Sequence, residues 1–411
     1  MRYGLLGEHL GHSFSKEIHE KLGRYPYELI EIAPDELGGF MRSKAFAGLN
    51  VTIPYKQAVI PYLDALSDRA QAIGAVNTVV NRGGKLYGDN TDFGGLEALL
   101  RRMGLELGGK TVLIAGSGGT GATAAAVAKT LGAAWVYRMS RTGRGGALTY
   151  EDAYTRYSGA EILINTTPCG MFPRSDETPV ALERLPGLEA VADVIYNPLT
   201  TALVQRARAR GLKAENGLYM LVAQAVLAAG VFLEETVSPD RIEPIYREIL
   251  REKQNIVLIG MPSAGKTTVG TLLAARLNRE LRDTDAEIVK SAGMPVPEFF
   301  SRFGEARFRA LETETVKLLS RTGGQVIATG GGAVLRRENV DALKQNGVVV
   351  FLDRPLSELF PTEDRPLSND REKLRALYET RRPIYAAAAD ITLPVSGTPE
   401  DTAALILEKL R

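Results

Sequence analysis

The sequence predicts two α/β units in tandem, because twice along its 411 residues a short apolar run of β type leads directly into a glycine loop that opens a helix. A third observation supports the class. Glycine is plentiful, at 42 residues, and its clusters fall at strand-to-helix junctions rather than in low-complexity tracts, as in open α/β sheets. At roughly 150 residues per domain the length suits two or three domains, each able to bury its own core.

At the first junction Thr111-Val112-Leu113-Ile114-Ala115 reads as a buried strand, and Gly116-Ser117-Gly118-Gly119-Thr120-Gly121 follows without a gap. An alanine-rich helix then runs to about Leu131, where Gly132 ends it. A second strand, Trp135 to Met139, comes at the interval a βαβ unit requires. Gly116, Gly118 and Gly121 fit G-x-G-x-x-G in the setting that gives the pattern meaning. The first glycine makes the tight turn, the second lets backbone approach a pyrophosphate, and the third allows close helix–strand packing. The helix N-terminus adds N–H donors and a positive dipole end. A plain tight turn is the competing reading of the glycines alone.

An NAD-binding unit expects Asp or Glu at the end of the second strand, accepting from the ribose 2′-hydroxyl. Here that place holds Ser140-Arg141-Thr142-Gly143-Arg144. Two arginines and two hydroxyls suit a 2′-phosphate, which favours NADP over NAD. A solvated basic loop is the alternative.

At the second junction the strand Asn255-Ile256-Val257-Leu258-Ile259 runs into Gly260-Met261-Pro262-Ser263-Ala264-Gly265-Lys266-Thr267, a complete P-loop with Thr268 behind it. Its backbone N–H groups cradle phosphates of ATP, Lys266 reaches the β/γ oxygens, and the Thr267 hydroxyl ligates Mg²⁺. Asp283-Thr284-Asp285 follows at the next strand end, where a carboxylate can hold the hydrated metal or cap a solvated turn. After the strand Val326 to Thr329 comes Gly330-Gly331-Gly332, a loop whose bare backbone lets a small polar substrate approach. Arg365-Pro366-Leu367 and Arg381-Arg382-Pro383 lie in polar stretches where lid arginines would close over a transferring phosphate.

Between the two junctions Glu234 to Lys253 is polar, contains Pro239 and Pro244, and ends in a charged helix from Ile245. The major boundary is expected near 251–255. The loops differ in spacing, which points to two fused enzymes rather than an internal repeat.

Composition narrows the function classes. Fifty Lys+Arg against 49 Asp+Glu give a net charge of +1, so the chain is no polycation and nucleic acid is not an expected partner. A single cysteine rules out an intrachain disulfide framework and fits a reducing compartment. The N-terminus turns polar by Glu8-His9, too early for a signal peptide. No run of 18 apolar residues exists; Met220 to Leu233 comes nearest and is interrupted by Gln224. The expectation is a cytoplasmic protein without a membrane partner. Cys169 has no His or second Cys beside it and reads as a packing residue, and His9, His12 and His19 read as incidental polar or packing residues. The second unit holds no histidine, so histidine chemistry is excluded there.

Further motifs carry a resemblance. In order they are Ser13-Phe14-Ser15, Asn50-Val51-Thr52-Ile53-Pro54-Tyr55-Lys56, Gly74-Ala75-Val76-Asn77-Thr78 and Gly88-Asp89-Asn90-Thr91-Asp92. Asn165-Thr166-Thr167-Pro168, Asp193-Val194-Ile195-Tyr196-Asn197-Pro198 and Gly217-Leu218-Tyr219-Met220-Leu221 with Gln224 follow. On these motifs residues 1 to about 250 resemble the shikimate dehydrogenase family over its whole length. Residues 255–411 resemble shikimate kinase through the P-loop, Asp283-Thr284-Asp285, Gly304-Glu305 with Phe308-Arg309, the three glycines and Arg365-Pro366-Leu367. The two families catalyse successive steps toward aromatic amino acids. The implied fold is α/β, with a shikimate dehydrogenase-like two-domain unit fused to a P-loop domain of the nucleoside-monophosphate-kinase type. Its implied parts are a substrate domain over 1–98 completed by 217–252, a Rossmann NADP domain over 99–216, and the kinase domain over 253–411.

The resemblance implies that the first half reduces 3-dehydroshikimate to shikimate with NADPH, with Lys56 and Asp92 as the catalytic pair. Ser13, Ser15, Asn50, Thr52, Asn77, Tyr196 and Gln224 would bind the substrate, and Gly119 and Gly217 would join the cofactor site. From the residues alone, Lys56 reads equally as a surface lysine and Asp92 as a helix N-cap. The second half would phosphorylate the shikimate 3-hydroxyl. Asp285 would contact that hydroxyl, Asp283 and Thr267 would serve Mg²⁺, and Arg309 and Arg381 would pair with the substrate carboxylate. Gly331 and Gly332 would admit the substrate to backbone N–H groups, and Arg365 would stabilise the phosphoryl group in flight. Arg309 is equally placed to pair with Glu305 or Glu312.

The chain departs from the families at two places. Ser140 stands where the dehydrogenases usually have Asn, and Leu359-Phe360-Pro361-Thr362-Glu363-Asp364 lacks the arginine often found just before Arg365-Pro366. The second departure bears on the adenine side of the ATP site. A quinate/shikimate oxidoreductase fused to another small-metabolite kinase stays open, as does a metabolite sensor; so does the choice of monomer or homodimer.

Overall fold

The computed structural model describes residues 2–11, 13–361 and 370–410, and the chain separates into two compact units, 1–250 and 251–411. The first unit contains two six-stranded sheets. One is built from β1 (Tyr3–Gly7), β2 (Tyr27–Glu31), β3 (Gly48–Val51), β4 (Ala65–Leu66), β5 (Thr78–Arg82) and β6 (Lys85–Asp89), in the order β2-β1-β3-β5-β6-β4. It is mixed: β1 runs parallel to β2 and β3, whereas β5 is antiparallel to β3 and β6. The two-residue period of a strand sends neighbours to opposite faces. Leu6 joins Ile30, Leu49 and Met41 on one face, and Leu5 joins Tyr27 and Phe232 on the other, where helices Ser15–Leu22 and Leu218–Leu233 lie.

The other sheet contains β7 (Thr111–Ala115), β8 (Trp135–Ser140), β9 (Leu148–Thr149), β10 (Ile162–Asn165), β11 (Ala190–Asp193) and β12 (Lys213–Glu215). Its order is β12-β11-β10-β7-β8-β9, and every pair is parallel. Parallel strands covered on both faces read as continuous apolar runs, and here Leu113 and Leu163 pack on one side while Val112, Ile114 and Ile164 pack on the other. The chain leaves β7 toward β8 and leaves β10 toward β11, so a crevice opens between these adjacent strands at their carboxyl ends.

The second unit is one parallel sheet of β13 (Asn255–Ile259), β14 (Leu281–Asp283), β15 (Val326–Ala328), β16 (Gly347–Asp353) and β17 (Ile391–Pro394), in the order β14-β15-β13-β16-β17. The P-loop leaves the central strand β13, every residue of which is buried.

Some boundaries differ from expectation. β8 continues through Ser140, which still pairs with Thr149, and β15 ends at Ala328, with Thr329 donating its N–H and hydroxyl to Leu258 O just beyond it. The charged helix begins at Ile242, and helix Val296–Ser320 is broken at Gly304 (φ 78°, ψ 169°). Among the described residues no helix is long and apolar enough to cross a membrane.

Candidate active sites

Lys56 stands on a loop tied down from several sides. Thr52 N–H donates to Leu6 O at 2.9 Å, the buried Tyr55 hydroxyl donates to Ile32 O at 2.6 Å, and Val76 N–H donates to the Lys56 carbonyl at 2.8 Å. Asp92 arrives from the first turn of helix Thr91–Arg102, and its carboxylate meets the Lys56 ammonium at 2.5 Å. The two side chains are only 16% and 10% exposed, so the pair is shielded yet reachable. The N-cap of that helix is Asn90, whose side chain accepts from Phe93 N–H. That corrects both residue-level alternatives, since capping leaves Asp92 free for the lysine and Lys56 is not a surface group.

The pair lies on the wall of a cavity of about 540 Å³. Ser13, Ser15, Asn50, Thr52, Asn77, Tyr196, Gln224 and Gly217 line the same cavity, so it collects motifs spread from residue 13 to residue 224. Apart from Lys56 and Asp92, these groups are neutral donors and acceptors. Ser15 opens helix Ser15–Leu22, where the dipole favours a carboxylate. Burial pushes the Tyr196 hydroxyl up, against an opposing hydrogen bond to Ser13. Asn77 Oδ1 accepts from Thr91 N–H at 2.7 Å, and Gln224 Nε2 donates to Leu221 O at 2.9 Å. Asp193, fully buried, accepts from Asn165 Nδ2 at 2.9 Å, Thr201 Oγ1 at 2.7 Å and Ile195 N–H at 3.1 Å.

The first glycine loop borders this cavity through Thr120. A Cβ on Gly121 would run into the Gly116 carbonyl, so the helix Gly119–Thr130 can seat this close to β7 only with glycine there. Space beside Gly118 is open, and Gly119 faces Ala75 and the Lys56 side chain. A dinucleotide phosphate fits the backbone left bare at that helix start. Ser140 Oγ accepts from Gly143 N–H at 3.1 Å, which folds the loop carrying Thr142, while Arg141 and Arg144 stay exposed. The donor set fits a 2′-phosphate, because no carboxylate stands at the end of β8 to take a ribose hydroxyl.

In the second unit Gly265 caps helix Lys266–Leu277 with φ 89°. Lys266 is buried under the loop, with Nζ donating to Gly260 O at 3.0 Å and Met261 O at 2.9 Å. Thr267 Oγ1 donates to Asp283 Oδ2 at 2.8 Å, and the other Asp283 oxygen accepts from Asp285 N–H and Ala286 N–H to cap helix Thr284–Ala292. Thr268 is exposed on the next helical position. Thr267 and Asp283 fit a magnesium ion, which keeps most of its waters and takes few protein ligands. Among the described residues no cluster of three His, Cys, Asp or Glu side chains offers an all-protein metal cage.

The three-glycine loop gathers the remaining groups. A Cβ on Gly332 would fall inside the Arg309 guanidinium, and one on Gly330 would strike the Asp285 carboxylate. Gly331 O accepts from Arg381 Nη1 at 3.0 Å and from Tyr385 Oη at 2.5 Å. Arg309 Nη1 donates to the buried Glu312 at 2.8 Å, and Nε and Nη2 approach Glu305 at 3.4 Å. Both pairings considered for Arg309 are therefore present, and they hold it at the loop rather than away from it. Burial raises the Glu312 carboxyl, with Arg309 opposing. Arg365 lies outside the described residues.

Comparison with known proteins fits this geometry. Residues 5–79 match the shikimate dehydrogenase substrate binding domain, and residues 262–411 match shikimate kinase. The shikimate dehydrogenase (NADP(+)) of Geobacillus kaustophilus is 39% identical over 274 residues, spanning 61% of this chain and 98% of that protein. The chain belongs to the shikimate dehydrogenase family. Shikimate dehydrogenase 1 of Peptoclostridium difficile aligns with a TM-score of 0.57 at 31% identity, covering 61% of this chain and 98% of that one. The Thermus thermophilus shikimate 5-dehydrogenase, solved with NADP(H) and shikimate, aligns at 0.54 with 32% identity, covering 60% and 99%. Later in the sequence comes a domain of the shikimate kinase family, so oxidoreductase and phosphotransferase families share one chain.

Sequence reasoning missed several groups at these sites. His9, Ile53 and Met171 also line the dehydrogenase cavity, and Tyr385 holds the glycine loop of the kinase domain. Thr91 lies inside a quoted motif, but its role, a backbone N–H fixing Asn77, leaves no trace in residue type. Cys169 is half-buried on a loop near Glu177, with burial raising its thiol, and among the described residues no histidine joins it. His19 is fully buried and His12 lies outside the described residues.

Proposed function

We propose that this chain performs two consecutive reactions, reducing 3-dehydroshikimate to shikimate in residues 1–250 and phosphorylating the shikimate 3-hydroxyl in residues 251–411. The observation that carries the first step is the shielded Lys56–Asp92 pair on a hydroxyl-rich cavity bordered by the first glycine loop. When bound, NADPH supplies the hydride. Lys56 hands a proton to the carbonyl oxygen as it gains charge, and Asp92 holds the ammonium in place. Ser13 and Ser15 receive the substrate carboxylate at the helix N-terminus, while Asn50, Thr52, Asn77, Tyr196 and Gln224 sort its hydroxyls. Gly116, Gly118, Gly119, Gly121 and Gly217 would bring backbone to the cofactor, with Arg141 and Arg144 at its 2′-phosphate.

In the second step Mg-ATP supplies the phosphoryl group. Asp285 orients the 3-hydroxyl, Arg309 and Arg381 pair with the carboxylate, and Gly331 and Gly332 present N–H groups. Gly260, Gly265, Lys266, Thr267 and Thr268 cradle the phosphates, with Thr267 and Asp283 toward the metal. Arg365 keeps its proposed lid role. We assign 1–98 with 217–252 to substrate binding, 99–216 to NADP and 253–411 to the kinase, and place the enzyme in the cytoplasm on its single cysteine.

The test supplies the purified chain with 3-dehydroshikimate, NADPH, ATP and Mg²⁺, omits each in turn, and follows products by mass spectrometry. Shikimate 3-phosphate that requires every component is expected. Shikimate without its phosphate would refute the kinase half, and neither product would refute both.

A further inference from the structure

Asn50, Asn77, Asn197 and Gln224 all line the dehydrogenase cavity, and an amide can present either its oxygen or its nitrogen. Two are oriented by backbone: Asn77 Oδ1 accepts from Thr91 N–H at 2.7 Å, and Gln224 Nε2 donates to Leu221 O at 2.9 Å. Asn50 has no close backbone partner. Its Nδ2 reaches Asn77 O and Thr78 Oγ1 only at 3.4 and 3.3 Å, and its short bond is from the Tyr27 hydroxyl to Oδ1 at 2.7 Å. Asn77 O, an obligate acceptor, requires Nδ2 on its side, which leaves Oδ1 for Tyr27.

Tyr27 is itself held. It lies on β2, one strand beyond β1 from Asn50, and its ring stacks on His19 at 3.9 Å with planes 7° apart. His19, fully buried, is fixed by a 2.8 Å bond between Nδ1 and the Tyr25 hydroxyl. We infer that Tyr27, braced by His19, is a positioning residue that locks the Asn50 amide so that it offers the substrate an N–H and never its oxygen. Asn50 then gives a donor to a ring hydroxyl of the substrate, while Gln224 presents the acceptor. Without the Tyr27 hydroxyl only the two long bonds, at 3.4 and 3.3 Å, hold the amide, and a flipped Asn50 sets oxygen against oxygen at the ligand. This inference rests on the dehydrogenase reading of the cavity.

A double-mutant cycle tests it with the full chain, using 3-dehydroshikimate and NADPH. Tyr27→Phe keeps the ring that His19 stacks on and removes only the hydroxyl. The expected loss in kcat/KM for 3-dehydroshikimate is about tenfold, carried by KM, with KM for NADPH unchanged. In an Asn50→Ala background the same change costs less than about twofold, because Tyr27 has nothing left to orient. Equal losses in both backgrounds, or no loss in the first, would overturn the inference while leaving the dehydrogenase reading intact. No turnover in the unmodified chain would overturn both. Should Tyr27→Phe not fold, Asn50→Asp serves, since its carboxylate keeps the Tyr27 bond and loses the donor. A loss at least as large as that of Asn50→Ala supports the inference, and near-normal KM refutes it.

Discussion

Replacing His19 by glutamine removes a group that titrates differently in the folded and unfolded chain. The imidazole is fully buried, and burial pushes its pKa down from 6.5 to about 3. Below pH 6.5 the unfolded chain takes up a proton the folded chain refuses, so stability is complete above that pH and is lost on acidification at about 1.4 kcal/mol per pH unit. Asp193 works in the opposite sense. Burial raises its carboxyl from 3.8 to about 7 against three hydrogen-bond donors, so its contribution is complete below 3.8 and lost as pH rises toward 7. Between 3.8 and 6.5 the two slopes cancel, and the unmodified protein hides both. His19→Gln exposes the Asp193 slope: relative to the parent it gains about 3 kcal/mol as pH falls by two units within that window. Asp193→Asn exposes the His19 slope and loses about as much over the same interval. Urea unfolding at each pH, followed through Trp135, reads this directly, because the one tryptophan of the chain lies in residues 1–250. A difference between variant and parent that stays constant with pH would refute the reasoning, whatever its size.

Lys56→Met is expected to lower the reduction rate by about 10² to 10⁴, the range of a lost general acid, while shikimate phosphorylation proceeds unchanged; coupled assays of NADPH and ADP check both. Gly332→Ala pushes a methyl group into the Arg309 guanidinium and is expected to raise KM for shikimate in the kinase step about tenfold or more without touching the reductase. If both steps fall together in steady-state assays, the assignment of that loop fails. Arg141→Gln removes one exposed cation from the loop after β8, and KM for NADPH is expected to rise about tenfold while KM for NADH stays within twofold. Equal changes for the two cofactors would place Arg141 away from the 2′-phosphate.

What the sequence determined by itself was local. A strand, a glycine turn and a helix start obey rules that reach only a few residues, so both nucleotide loops, their strands and the α/β class were legible from spacing alone. The basic character after β8 was legible too, because it depends on which residues are present and not on what they touch. The meeting of Lys56 with Asp92, 36 residues apart in the chain, came to view only through packing. Residue type alone allowed Asp92 to be a cap, and the fold gave that task to Asn90. The same holds for Arg309, whose guanidinium occupies the space a Gly332 side chain would need, and for Tyr27, which reaches past β1 to turn the Asn50 amide. Those decisions belong to tertiary structure because side-chain contacts made at long sequence separation are set by how sheets and helices stack. The free energy of such contacts depends on distance and burial, and neither quantity exists until the chain has folded.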